Sequence, residues 1–331
     1  MGESTRRRAH DSRFGAFHIA KSSLLGTLQQ WIARRNLQAI AVRWTGTCRL
    51  SFCVLALASI PVFLTSCGQT KPSEMSIREI FAATTAGEAK TLVPGMSFRW
   101  CPAGSFTMGT TIELGNEFAV EVTLTQGFWL AETELTQAQW RKVMRTVPWK
   151  GQEDVKEGDD FPASFISHDD AVAFCQKLTK AELAAGRLPK GWTFGLPTSA
   201  QWEYACRAGT KTDYSFGDDE SLLGEYAWFN DNSLNAGEKY AHRVGQKKPN
   251  VWGLKDMHGN ISEWCLDWEM PNLPGGRDPI ELGQFYGTRV TRGGSWIKVA
   301  SNCVSANRWG LSPGNRSRTS GFRVAAVLST E

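Results

Sequence analysis

Histidine is scarce in this chain, five residues in 331, and His168, His242 and His258 share no ligand spacing. No metal centre is read from them. The eight cysteines include no CxxC pair. Once Cys67 is set aside for a role argued below, the five left to the fold (Cys101, Cys175, Cys206, Cys265 and Cys303) are odd in number. They read as buried small hydrophobes rather than a disulfide framework. Net charge is also modest. Nine of the 37 Lys and Arg precede residue 67, as do two of the 33 Asp and Glu, so the remainder carries 28 against 31. The formal +4 of the whole chain belongs to its first 66 residues, no basic stripe survives, and a nucleic-acid partner is disfavoured. Internal repeats are absent too.

The most apolar run, Leu50 to Leu64, is shorter than the roughly 20 residues of a membrane-spanning helix. Arg43 and Arg49 precede it and Thr65-Ser66-Cys67-Gly68 follows. That pattern reads as a secretory signal ending in a lipobox. Residues 1–66 are then a leader, Cys67 the lipidated N-terminus, and 67–91 a polar tether. Residues 92–331, with twelve of the 14 tryptophans, are long enough to bury one large core. Three helix starts carry capping boxes: Thr136 with Gln139, Ser167 with Asp170, and Thr198 with Gln201. They predict helices over 137–144, 169–178 and 199–207. Short extended runs such as 121–124 and 289–292 complete an α+β domain rich in irregular structure.

Near the C-terminus, Arg292-Gly293-Gly294-Ser295-Trp296 and Gly321-Phe322-Arg323-Val324 enclose residues that follow neither helical nor strand periodicity. Ala300, Asn302, Cys303, Ala306, Asn307, Arg308, Pro313 and Arg316 read as structural fixtures. Between them stand Ile297, Lys298, Val299, Ser301, Val304, Trp309, Gly310, Leu311, Gly314, Ser317, Arg318, Thr319 and Ser320. As loop positions these are expected to be exposed and to contact a ligand, with Trp309, Ile297, Val299 and Leu311 as its apolar centre. The polar rim would comprise Lys298, Ser301, Arg318 and Ser320.

Several blocks in order resemble the formylglycine-generating enzyme (sulfatase-modifying factor) family: Ser105 to Gly109, Glu132 to Trp140, Leu196 to Ala205, Pro249 to Trp264, RGGSW and GFRV. The resemblance implies a C-type-lectin-like architecture with small sheets and a few helices. Enzymes of the family use two C-terminal cysteines to hold copper(I), and the matching positions here are Lys298 and Cys303. An ammonium offers copper no lone pair, so no catalytic residue is assigned and no enzyme is expected. The resemblance further implies a structural calcium through Asp256, Gly259, Ile261 and Glu263. The alternative is that Asp256 and Glu263 only cap and brace the turn.

The C-terminal pattern also resembles the variable proteins of diversity-generating retroelements, in which residues between fixtures are rewritten at adenines. That resemblance implies a lipid-anchored outer-membrane or cell-surface protein whose segment 292–324 recognises a protein or cell-surface ligand. Two other readings stay open: an oxidase maturing sulfatases, and an inert envelope lipoprotein. Replacing Cys67 by Ala should leave an uncleaved or soluble precursor, because acylation of that thiol supplies the membrane affinity. Detergent phase partition checks this, and equal partition of wild type and variant would refute lipid attachment.

Overall fold

The computed structural model describes residues 74–110 and 119–329. The leader and Cys67 lie outside the described residues, and among those described no helix is long and apolar enough to cross a membrane.

The folded part begins earlier than the sequence predicts. Helix α1 (Glu74–Phe81) and the first residues of strand β1 (Ala89–Val93) fall within the expected tether. The reason is one aromatic residue: Phe81 is buried, packs 5.0 Å from Trp192, and its carbonyl accepts the Trp129 indole N–H at 3.1 Å. Strand β1 then pairs antiparallel with β2 (Met96–Cys101).

A five-stranded sheet, in the order β1-β2-β5-β12-β6, forms the centre, with β5 spanning Phe128–Ala131, β6 Trp192–Gly195 and β12 Ala325–Leu328. All four residues of β5 are buried, because side chains alternate between two covered faces. Trp129 and Ala131 enter one core with helices α2 (Gln137–Met144) and α3 (His168–Ala184). Phe128 and Leu130 enter a second with helix α4 (Ser199–Arg207). A three-stranded sheet of β3 (Gly104–Met108), β4 (Val120–Leu124) and β8 (Gly276–Arg277) flanks that second core. The short helix α5 (Leu223–Tyr226) lies in the long connection that follows α4.

The three capping boxes form as the sequence predicts, and α2 and α4 have the predicted bounds. Helix α3 runs on to Ala184, past the predicted end at 178. Leu178 and Glu182 stay buried there, and Glu182 pairs with Arg187 at 2.6 Å.

A four-stranded sheet, β10-β9-β7-β11, carries the C-terminal segment. Its strands are β7 (Ser262–Trp268), β9 (Arg289–Arg292), β10 (Arg308–Leu311) and β11 (Ser320–Gly321). The two ends of the segment are held by aromatic burial. Trp296 and Phe322 have no exposed surface, and Phe322 meets Trp140 and Phe174 edge-on at 6.4 and 5.5 Å. Phe322→Ala should cost about 3 to 5 kcal/mol, the loss expected for emptying a buried aromatic site. Val299→Ser, at a half-exposed position, should stay within about 0.5 kcal/mol of wild type. Guanidinium unfolding of both variants checks the contrast; the reverse order would show that scaffold and surface had been exchanged.

Candidate functional site

Arg292 ends β9 with its guanidinium fully buried. It pairs with Glu203 of α4 at 3.0 Å, donates twice to the Ser199 hydroxyl, and reaches the carbonyls of Ser305, Ala306 and Asn307. One side chain thereby fixes the middle of the segment from its start. The glycine pair that follows is required by geometry. Gly293 and Gly294 have φ of 91° and 69°, and a Cβ on Gly294 would press on Cys303 Sγ at 2.6 Å.

Other fixtures act differently from one another. Asn307 donates to the Asn302 carbonyl at 2.6 Å, and Arg308 donates to the Met270 carbonyl at 2.8 Å. The Pro313 carbonyl accepts the N–H of His168 at 3.0 Å, while Arg316 is ion-paired with Asp170 at the start of α3.

The residues between the fixtures divide by burial. Val299, Ser301, Trp309, Gly314 and Arg318 are exposed; Lys298, Ser317 and Thr319 are half-buried. Ile297 packs against Ala241, Ile261 and Trp296, Val304 against the cluster around Tyr214 and Cys303, and Leu311 against the first core. Ser320 is fully buried, with its hydroxyl accepting the Ser317 N–H at 3.0 Å. It cannot reach a ligand as a rim residue.

Trp309, Gly310 and Leu311 are not in a loop either. They lie on edge strand β10, where Trp309 faces Thr291 and Gly310 faces Val290. A four-residue strand containing a glycine gives too little alternation to be read from sequence. A Cβ on Gly310 would overlap the Glu269 carboxylate, which accepts from Thr288.

Exposed positions also fall into separate groups. Lys298 Nζ stands 4.4 Å from the Trp309 ring centroid, and Trp309, Ser301 and Val304 line one cavity of about 500 Å3. Arg318 lies elsewhere, 5.5 Å over the Trp296 ring and ion-paired with Asp154. The far wall of the cavity comes from Asp213, Tyr214, Asp218 and Glu220. Sequence reasoning missed this wall, which is some 80 residues upstream; its one signal is the acidic run 218–220 after Gly217.

His258 joins the two walls. Its Nδ1 donates to the Cys303 carbonyl at 2.8 Å, and its Nε2 lies 2.9 Å from the Ser215 hydroxyl and accepts the Ser215 N–H at 3.1 Å. Burial, and then the neighbouring Arg207, pull its pKa down to about 4.

Cys303 is buried, and that burial pushes its thiol up to about 12, so it is held protonated. Lys298 supplies no second thiol. The donor set at the expected calcium site does not fit the cation. Both oxygens of Glu263 accept from Arg323 at 2.6 Å, and one also accepts the Trp202 indole N–H at 2.7 Å. A guanidinium therefore already neutralises the carboxylate on which calcium would depend. Asp256 Oδ2 accepts the Gly245 N–H at 2.6 Å and braces the turn, with Asp256 itself at φ 60°. Gly259 and Ile261 are buried beside it, and a Cβ on Gly259 would overlap the Trp228 carbonyl. Among the described residues no cluster of three or more His, Cys, Asp or Glu could hold a metal.

Small twisted sheets, three capped helices and a C-terminal segment folded back through the middle define a C-type-lectin-like domain of the formylglycine-generating-enzyme type. The chain belongs to the sulfatase-modifying factor enzyme 1-like domain family, which matches residues 82–328. It is similar in structure to Treponema denticola variable protein 1, with a TM-score of 0.61 and 27% identity over 72% of this chain and 98% of that one. PvdO from Pseudomonas aeruginosa shares the fold, with a TM-score of 0.63 at 22% identity over 74% of this chain and all of that one. By sequence it is 27% identical to the chaperone protein LppX of Paenibacillus barcinonensis over 51% of this chain and 69% of LppX. It is also 29% identical to the formylglycine-generating enzyme of Streptomyces coelicolor, over 57% of this chain and 58% of the enzyme.

The His258 bridge makes stability depend on pH with a defined sign. Its folded pKa lies below the unfolded value of about 6.5, so its contribution is complete above pH 6.5 and is lost as pH falls from there towards 4. Urea unfolding from pH 7.5 to 4.5 should show a smaller loss of stability in His258→Gln than in wild type. Identical slopes would mean that the imidazole is not held neutral.

Proposed function

We propose that this is a lipid-anchored surface binding protein, not an oxidase, whose C-terminal segment is diversified by a retroelement and recognises a protein or cell-surface ligand. One observation carries the reading. Buried fixtures, Arg292, Trp296, Cys303 and Phe322, alternate with exposed Val299, Ser301, Trp309, Gly314 and Arg318, so the segment separates holding from contact. Such a segment can change its exposed side chains at little cost in stability. The likeness to Treponema denticola variable protein 1 over most of the domain supports it. The lipobox at Cys67 supports membrane attachment.

Ligand contact then centres on Trp309, with Lys298, Val299 and Ser301 beside it, and Gly314, Ser317, Arg318 and Thr319 as a second patch. Ile297, Val304, Gly310, Leu311 and Ser320 are tied to packing and should vary less. The gene and its surroundings test this. A near-copy of codons 288–325 beside a reverse-transcriptase gene, differing at adenines, is expected. Substitutions among sister genes should spare Arg292, Trp296, Cys303 and Phe322. Substitutions spread evenly over the domain would sink the reading.

The relatives that are formylglycine-generating enzymes favour oxidation of a sulfatase-type cysteine peptide as the competing activity. With Lys298 beside a single buried thiol, no aldehyde should form with or without copper(I). Stoichiometric copper(I) binding together with aldehyde formation would overturn the binding-protein assignment.

A further inference from the structure

Among the described residues the cavity behind Trp309 has more acidic than basic side chains on its wall. Asp213, Asp218 and Glu220 line it, and among the described residues none of these carboxylates is in an ion pair. Several carboxylates elsewhere are paired, Asp154 with Arg318, Asp159 with Arg141, Asp160 with Arg243, Asp170 with Arg316 and Glu225 with Lys248; exposed Glu153 and Glu157, among the described residues, are in no ion pair. Among the described residues the cation on its wall is Arg308, whose guanidinium donates to the Met270 carbonyl. The opposite wall presents the Trp309 indole, 44% exposed, whose ring already attracts Lys298 Nζ at 4.4 Å.

The acidic wall is rigid. Tyr214 and Gly217 exchange both backbone hydrogen bonds, at 3.1 and 3.2 Å, and the Asp213 N–H donates to Asp218 Oδ1 at 2.8 Å. The wall is also fixed to the C-terminal segment. The Ser305 N–H donates to the Asp213 carbonyl at 2.7 Å, and the Tyr214 hydroxyl to the Ala300 carbonyl at 3.1 Å. Little ordering is left for a ligand to impose.

We propose that this cavity receives a guanidinium group presented by the ligand, stacked on Trp309 and paired with the carboxylates of Asp213, Asp218 and Glu220. The proposal rests on the binding-protein reading and adds the chemistry of what is bound. A planar guanidinium can stack on an indole and fork to carboxylates at once, whereas an ammonium is a strongly hydrated point charge. Because the acidic wall lies outside residues 292–324, it would stay constant while the rewritten side chains select among ligands that share the cation.

The probe is N-acetyl-argininamide, titrated into the full chain in detergent micelles with 15N-labelled indoles, at low salt. Its neutral isostere N-acetyl-citrullinamide and N-acetyl-lysinamide are run in parallel. Saturable shifts of the Trp309 indole resonance are expected for the arginine probe, weakening at least several-fold at high salt. The lysine probe should bind several-fold more weakly and the citrulline probe not at all. Glu220→Gln and the double variant Asp213→Asn/Asp218→Asn should each weaken binding by about tenfold or more, equivalent to about 1.4 kcal/mol. Glu220 is exposed, so its variant keeps the test valid if the turn variant melts early. Equal binding of the citrulline probe, or no saturable shift, would overturn the proposal; equal binding of the lysine probe would overturn the guanidinium assignment. Either failure leaves the adenine-coded pattern of variation as a separate test of the binding-protein reading.

Discussion

Everything in this domain converges on one buried ion pair, Glu263 with Arg323. Neither side chain has exposed surface, and the guanidinium also donates to the carbonyls of Ala131, Glu132 and Lys255. Arg323 belongs to the last turn of chain before β12, Glu263 to β7, and Ala131 to β5. The pair therefore joins the central sheet, the sheet that carries the C-terminal segment, and the turn around Asp256. A buried pair of this kind gives little net stability over well-packed apolar residues, but removing one partner strands the other charge at a cost of about 3 to 5 kcal/mol. What it supplies is a unique arrangement of three irregular parts. Glu134 and Asp256 lie in the same buried region, and burial with neighbouring carboxylates holds both above the usual carboxylate range.

A second buried network repeats the device closer to the surface. Glu203 accepts from Arg207 and from the Gly109 N–H and is ion-paired with Arg292, and Arg292 in turn holds three consecutive carbonyls of the C-terminal segment. Irregular backbone cannot satisfy its own carbonyls through a ladder, so a five-donor guanidinium does so from the side. This gives the segment its character. Its carbonyls are satisfied by Arg292 and Asn307, and its interior is filled by Trp296, Cys303 and Phe322. The side chains of Val299, Ser301 and Trp309 are exposed.

His258 and Tyr214 extend that logic across the cavity. Each bridges an upstream acidic turn to the backbone of the C-terminal segment, so the spacing of the two walls is set by backbone groups and not by the segment's exposed side chains.

The parts legible in the sequence are those with local causes. Ser, Thr and a Gln or Asp three residues on fix helix starts, and Arg289 to Arg292 reads as a strand from its β-branched centre. RGGSW and GFRV stand out as fixtures because glycine pairs, arginine and aromatics in that order have few other uses. Position in space was not legible. Nothing near Phe81 says that it will close over Trp129 and pull the supposed tether into the core. Nothing near Ser320 distinguishes it from Ser301, although one is buried and the other exposed, because the difference lies in what packs above them. Glu263 could be assigned to calcium until Arg323, sixty residues away, was seen to occupy it. The acidic turn at 213–220 became part of a site only when Ser305 and Ala300 were brought against it. Local chemistry thus determined the caps and the fixtures. Burial and the pairing of distant charges, which depend on contacts between residues far apart in the chain, were decided by the tertiary structure alone.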